Sequence, residues 1–153
     1  MKIVSENFSE AIAYKIHKAV FVLDKVADTT LQSKIDLTLS QFLLLMVVIQ
    51  HPNIKQIEIA DFLELTQAAV SRQIDVLKNK KLITITQNEE NRRENLVSPT
   101  ASGNKVFNQA NDILQTTFED LYKVMTEKEK ENLEKSLDKL LFSVCGKRKS
   151  IDC

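Results

Sequence analysis

Two groups of residues carry hydrogen-bonding chemistry at useful spacings. The first is Thr66, Gln67, Ala68, Ser71 and Arg72, and the second is the run Asn91-Arg92-Arg93. On one face of a helix, Gln67 could pair with an adenine edge and Arg72 with guanine or a phosphate. Ala68 and Ser71 are small enough to let the backbone approach a base edge closely. A helix that starts at Thr66 also offers unpaired amides and a partial positive charge to a phosphate. Two adjacent guanidiniums at a loop tip suit the negative potential of a narrow minor groove. The plainer reading, a mixed polar helix face and a solvated loop, holds for either group taken alone, so the elements around them must decide.

Those elements read mainly as helix. Phe8, Ile12, Ile16, Ala19, Val20, Leu23 and Val26 recur at steps of three and four, the apolar face of a first helix. Thr38-Leu39-Ser40-Gln41 fits a capping box, and Phe42 to Ile49 is apolar all round, so the helix it opens should be central and buried. His51-Pro52-Asn53 ends that helix. A short helix then spans about Gln56 to Leu63. After the break at Glu64-Leu65-Thr66, Thr66 is the N-cap of another helix that runs to about Lys80. Val70, Ile74 and Leu77 form its apolar stripe, and Ala68, Arg72 and Asp75 point away from it.

The period then changes. Leu82-Ile83-Thr84-Ile85-Thr86 alternates and is rich in β-branched residues, and Asn95-Leu96-Val97-Ser98 forms a second short strand before Pro99. The polar segment between them places Arg92 and Arg93 at a hairpin tip. Helix returns at Thr100 with a stripe from Val106 to Met125. A second capping box, Thr126 to Glu129, opens a last helix carrying Leu133, Leu137, Leu140, Leu141 and Val144. Two short helices, a tight break and a hairpin make a winged helix-turn-helix. The expected fold is therefore mainly α: a winged helix-turn-helix with a two-stranded β-wing and additional N- and C-terminal dimerisation helices. The 153 residues read as a single domain. Within it, 36–99 is the DNA-binding lobe, 1–35 and 100–146 are dimerisation helices, and 147–153 is a basic tail.

Dimerisation follows from area. The first helix and the last two carry more apolar surface than one small lobe can cover, and a twin would convert that surface into core. Charge is less direct. Lysine plus arginine is 21 and aspartate plus glutamate is 21, so bulk charge points to no polyanionic partner. The balance is an average, however. Residues 66–93 carry six basic and three acidic side chains, a local +3, while residues 1–65 carry −2.

Several other chemistries find no support. There is no His/Cys/Asp cluster with metal-ligand spacing, and no nucleophile elbow, phosphate loop or carboxylate pair that would indicate an enzyme. No cofactor is expected. Cys145 and Cys153 both lie near the C-terminus and read as free thiols in a reducing compartment. The longest apolar run, Phe42 to Ile49, is far short of the about 20 residues a membrane span needs. No signal peptide is visible at Met1 to Glu6. The expected location is the cytoplasm.

In succession these pieces resemble the MarR family of bacterial transcriptional regulators. The similarity runs through Leu37-Thr38-Leu39-Ser40-Gln41-Phe42, then Ile57 to Leu63, then Thr66 to Leu77. It closes with Asn91-Arg92-Arg93 and Leu96-Val97-Ser98-Pro99-Thr100-Ala101-Ser102-Gly103. Each piece is weak alone, but their order and spacing are specific. The resemblance implies a homodimeric, ligand- or signal-responsive repressor that binds a palindromic operator in double-stranded DNA. It places Gln67, Ala68, Ser71 and Arg72 on the recognition helix and Arg93, beside Arg92, in the minor groove.

Family members often bind a small aromatic or phenolic effector between the dimer core and the DNA-binding lobe. Here that implies Tyr14, His17, Phe42 and Met46, each of which also suits plain packing. Some relatives sense peroxide through a first-helix cysteine, and this chain has none there. Three positions depart from the family pattern. Asn91 stands where an aspartate usually orients the wing arginine. Lys81 stands where a glycine usually ends the recognition helix, so it must turn left-handed or end the helix differently. Lys55 replaces a usual N-cap residue, with Glu58 kept three residues on. The rival from another class is a winged-helix protein–protein interaction module, for which Asp75, Glu89 and Glu90 are the best support.

Overall fold

The computed structural model describes residues 8–89, 91 and 94–145. Six helices and three short strands follow in the order α1 (Phe8–Ile35), α2 (Leu39–Gln50), β1 (Ile54–Lys55), α3 (Gln56–Phe62), α4 (Gln67–Asn79), β2 (Ile83–Gln87), β3 (Asn95–Pro99), α5 (Ala101–Tyr122) and α6 (Glu127–Cys145). The chain parts into two compact units between Leu114 and Gln115, inside α5.

The first unit is organised around α2. The Thr38 side chain accepts the Gln41 N–H at 3.1 Å, and the Gln41 side-chain oxygen accepts the Thr38 N–H at 3.2 Å. This capping box fixes where the helix begins. Phe42, Leu44, Leu45, Val47 and Val48 are all buried. Helices α1, α3 and α4 all pack on α2, and Leu31 of α1, Ile59 of α3 and Val70, Ile74 and Leu77 of α4 are buried as well. The stripe expected on α4 is thus the one that docks.

The expected hairpin is present, but it is part of a three-stranded antiparallel sheet in the order β1-β3-β2. Ile85 pairs with Val97 across the hairpin, and Ile54 pairs with the same Val97 from the other side. Strand β1 was not expected, because two residues carry no readable period. Tertiary contacts make it a strand. Asn53 turns the chain with φ 66, its N–H donates to Ser98 Oγ at 3.0 Å, and the Ser98 hydroxyl donates back to Asn53 Oδ1 at 2.8 Å.

The apolar face expected on α1 is only partly covered within this unit. Ala27 and Leu31 are its buried residues, whereas Ile12 and Val20 are exposed. The apolar stripe near the N-terminal end therefore has no cover within this unit. In the second unit, α6 leaves Leu133, Leu137, Leu140, Leu141 and Val144 exposed, and Phe142 is 79% exposed. Its capping box is made as expected: Thr126 N–H donates to Glu129 at 2.8 Å, and Glu129 N–H donates to Thr126 Oγ1 at 3.3 Å.

Four corners of the first unit use left-handed residues, and none is glycine: Asp36, Asn53, Glu64 and Lys81. Lys81, with φ 58, ends α4 in the conformation that its position demanded. A side chain with a Cβ pays about 1 kcal/mol or more in that region. We expect Lys81→Gly to raise stability by about 0.5–1 kcal/mol, read as a higher urea midpoint with an unchanged slope. A lower midpoint would mean that Lys81 contributes more by contact than it loses by strain.

Candidate nucleic-acid interface

Helices α3 and α4 meet at a turn built from backbone geometry. Leu63 N–H donates to Ile59 O, Glu64 N–H to Asp61 O, and Leu65 N–H to Ala60 O, and Glu64 sits at φ 50. These bonds use up the last carbonyls of α3 and turn the chain sharply. Thr66 then caps α4, its hydroxyl oxygen accepting the Ala69 N–H at 3.2 Å.

With Val70, Ile74 and Leu77 buried, the opposite face of α4 is fixed. Gln67, Ala68 and Arg72 are exposed and Ser71 is half-buried. Ala68, Ser71 and Arg72 are three and four residues apart, so they share one surface of the helix. The structure therefore gathers the helix members of the expected site at a capped N-terminus. At the other end, Lys80 Nζ lies 3.0 Å from Asp36 Oδ2 and also donates to the Asp36 carbonyl. This contact ties the end of α4 to the α1–α2 corner.

The wing is closed at its base by a network around Glu94. Asn88 N–H donates to Glu94 O at 3.0 Å, Glu94 N–H donates to Asn91 O at 2.9 Å, and Asn88 Nδ2 donates to Glu94 Oε2 at 3.1 Å. Lys55 Nζ reaches the same carboxylate at 3.0 Å from β1. Asn91 is exposed. Arg92 and Arg93 lie outside the described residues. Sequence reasoning missed Glu94 and Lys55 as a pair, because no local pattern links residues 39 positions apart in the chain.

The Lys55 hydrogen bond, helped by those from Asn88 and Asn91, holds the Glu94 carboxyl below its ordinary value of 4.5. A carboxyl depressed in the folded state stabilises the fold above the unfolded pKa, and that contribution is lost as pH falls through the folded value. Glu94→Gln should therefore flatten the acid side of the melting-temperature profile below about pH 4.5. Parallel profiles for the variant and the parent chain would show that the pair does not contribute.

Two of the four residues expected to hold an effector are exposed on the surface and the other two lie in or beside the core. Tyr14 and His17 are exposed on α1. Phe42 is buried and stacks on Phe107 with ring centroids 5.3 Å apart, and Met46 is half-buried. None of the four lines the cleft that opens between α1, the start of α2 and the α3–α4 turn. Among the described residues, no group of three or more His, Cys, Asp or Glu side chains is placed to hold a metal ion. Cys145 has no described side chain, and Cys153 lies outside the described residues. No described helix is by itself long and apolar enough to cross a membrane.

Residues 37–95 match the model of the MarR family. No curated protein sequence matches the chain. The fold is similar to that of wild-type MarR from E. coli in its apo form, with a TM-score of 0.79 and 25% identity over 92% of this chain and 99% of the other. It is also similar to MepR, a transcription regulator of the Staphylococcus aureus multidrug efflux pump MepA, with a TM-score of 0.72 and 26% identity over 86% and 97%. A mutant E. coli MarR complexed with operator DNA aligns with a TM-score of 0.72 and 28% identity over 90% and 99%.

Proposed function

From the premise that the lobe formed by residues 37–95 belongs to the MarR family, we propose that this protein is a dimeric, sequence-specific DNA-binding transcriptional regulator. One observation carries the reading. The capped N-terminus of α4 presents Gln67, Ala68 and Arg72 to solvent, and the same helix leads into the β2–β3 hairpin. Similarity to a chain complexed with operator DNA supports it. In this proposal Thr66, Gln67, Ala68, Ser71 and Arg72 enter the major groove, while Asn91, Arg92 and Arg93 follow the minor groove. The protein acts as a cytoplasmic repressor, without enzymatic activity, whose hold on a palindromic operator is relieved by a signal.

The uncovered apolar side chains of α1 and α6 support a homodimer. Ile12, Val20, Leu141 and Phe142 are large, apolar and exposed, and a second copy would remove them from water. In this reading residues 36–99 contact DNA, while 1–35 and 100–146 join the two copies. An aromatic or phenolic effector near Tyr14, His17, Phe42 and Met46 remains part of the proposal.

Selection of genomic fragments by the purified protein, followed by sequencing, tests the reading. The expected product is a palindrome with half-sites about one helical turn apart, near 10 base pairs. Enrichment of no sequence would overturn it and favour a protein partner for the same surface, where Asp75 and Glu89 are also exposed. Within a confirmed site, Arg93→Ala should weaken binding at low salt and reduce the salt slope by about 1. Unchanged affinity with an unchanged slope would remove the arginine from the minor groove.

A further inference from the structure

Strand β1 fastens the β2–β3 hairpin to the rest of the unit only as far as its own backbone reaches. It pairs with β3 through Ile54 and Val97 and through Lys55 and Leu96, and then turns into α3 at Gln56. The hairpin runs on past that point. Gln87 pairs with Asn95, and Asn88 N–H donates to Glu94 O at 3.0 Å. A ribbon of two strands is only marginally stable by itself and has a wider range of twist than a larger sheet.

The side chain of Lys55 carries the fastening beyond the end of β1. Its Nζ lies 3.0 Å from Glu94 Oε2. Lys55 is also the N-cap residue of α3, and its N–H donates to Glu58 Oε2 at 2.9 Å. One residue thus touches both the first turn of α3 and the base of the wing. The Glu94 carboxylate accepts in addition from Asn88 Nδ2 at 3.1 Å and from the Asn91 side chain. Donors from β1, from the residue after β2 and from the hairpin turn therefore converge on one carboxylate. The Lys55 and Glu94 side chains are 40% and 31% exposed, and an ion pair so exposed contributes little to folding stability. Its leverage is geometric, because a change of angle at Leu96 is magnified along the hairpin.

We propose that the Lys55–Glu94 pair is a positioning device that sets the angle of the wing against α3 and α4, so that the hairpin meets the minor groove while α4 lies in the major groove. Helix α3 packs on α4, so a side chain fixed at the start of α3 refers the wing to the recognition helix. This inference rests on the DNA-binding reading above. Charge alone predicts the opposite outcome for one partner: removing a carboxylate from a surface that faces a polyanion tightens binding.

The test uses the full chain and a duplex carrying the palindrome selected from genomic fragments. Glu94→Gln and Lys55→Met should each weaken operator binding roughly threefold, and the double variant should be no weaker than either alone. Lys55→Arg, which keeps the charge and the reach, should bind as the parent chain does. Melting temperatures at pH 7 close to the parent's show that the variants are folded, and Glu94→Gln carries the test by itself if Lys55→Met is not. Two footprints on saturated operator separate positioning from a general loss of structure. Protection of guanine N7 from dimethyl sulfate reports α4 in the major groove and should persist in both variants. Protection of the flanking minor groove from hydroxyl radicals should fall. Binding by Glu94→Gln as tight as the parent's or tighter, additive losses in the double variant, minor-groove protection equal to the parent's, or loss of both footprints together would overturn the proposal. Selection of no operator would instead remove the DNA-binding reading, and this inference with it.

Discussion

Gly103→Ala is expected to destabilise the protein by about 2–4 kcal/mol, through overpacking together with lost hydrogen bonds. Gly103 is buried near the start of α5, and a Cβ at this position would lie 2.0 Å from the Leu82 carbonyl oxygen and 3.0 Å from its carbon. Neither is the end of a flexible side chain that could swing aside. The Leu82 carbonyl is also a junction, accepting the Thr100 N–H at 3.0 Å and the Thr100 hydroxyl at 3.1 Å. The Thr100 hydroxyl oxygen in turn accepts the Gly103 N–H at 2.9 Å and so caps α5. To admit one methyl group, either α5 must move away from Leu82, breaking these bonds, or the entry to β2 must shift. The measurement is a urea unfolding curve of the variant against the parent chain. Ser102→Ala, one residue earlier and exposed, should stay within about 0.5 kcal/mol. If Gly103→Ala matched the parent to that margin, the close approach of α5 to Leu82 would not be a feature of the protein in solution.

Gly103 also marks what a sequence can and cannot disclose. Its place after Pro99-Thr100-Ala101-Ser102 was visible, and Thr100 was legible as a cap, because capping is a matter of residue type three positions from an amide. The capping boxes at Thr38 and Thr126, the Thr66 cap and the Val70-Ile74-Leu77 stripe were legible for the same reason: each is a local pattern of period or spacing. The left-handed Lys81 could be anticipated only because a glycine was missing from its usual place. Asp36 and Glu64 adopt the same conformation without a comparable signal. What could not be read is what the chain brings together from a distance. Strand β1 exists because Ile54 meets Val97. Glu94 closes the wing because Lys55 reaches it from β1. The cleft combines a turn, a helix start and a helix face separated by up to 44 residues between Phe21 and Leu65. The apolar stripe on α1 was legible as a stripe too large for one lobe to cover, but periodicity identifies an apolar face and not the surface that buries it.

Replacing Arg72 with alanine should produce the largest loss of operator binding among the helix residues, about 1–3 kcal/mol. The side chain is exposed on α4, while the neighbouring turns of the helix are anchored by Val70 and Ile74. The substitution should therefore leave the fold and the helix position intact. The form of the loss identifies the contact. A guanidinium bidentate to guanine gives a loss confined to sites that carry that base, with relaxed preference at one position of each half-site. A phosphate contact weakens all sequences alike and lowers the salt slope by about 1. Binding measured at three salt concentrations, on the selected operator and on a variant operator, separates the two. The neutral balance of 21 basic and 21 acidic side chains makes the experiment sensitive. A chain without excess positive charge has little non-specific affinity in reserve, so a single guanidinium is a large share of what holds it to DNA. Arg72→Ala with parental affinity on both sequences at all salts would remove α4 from the groove.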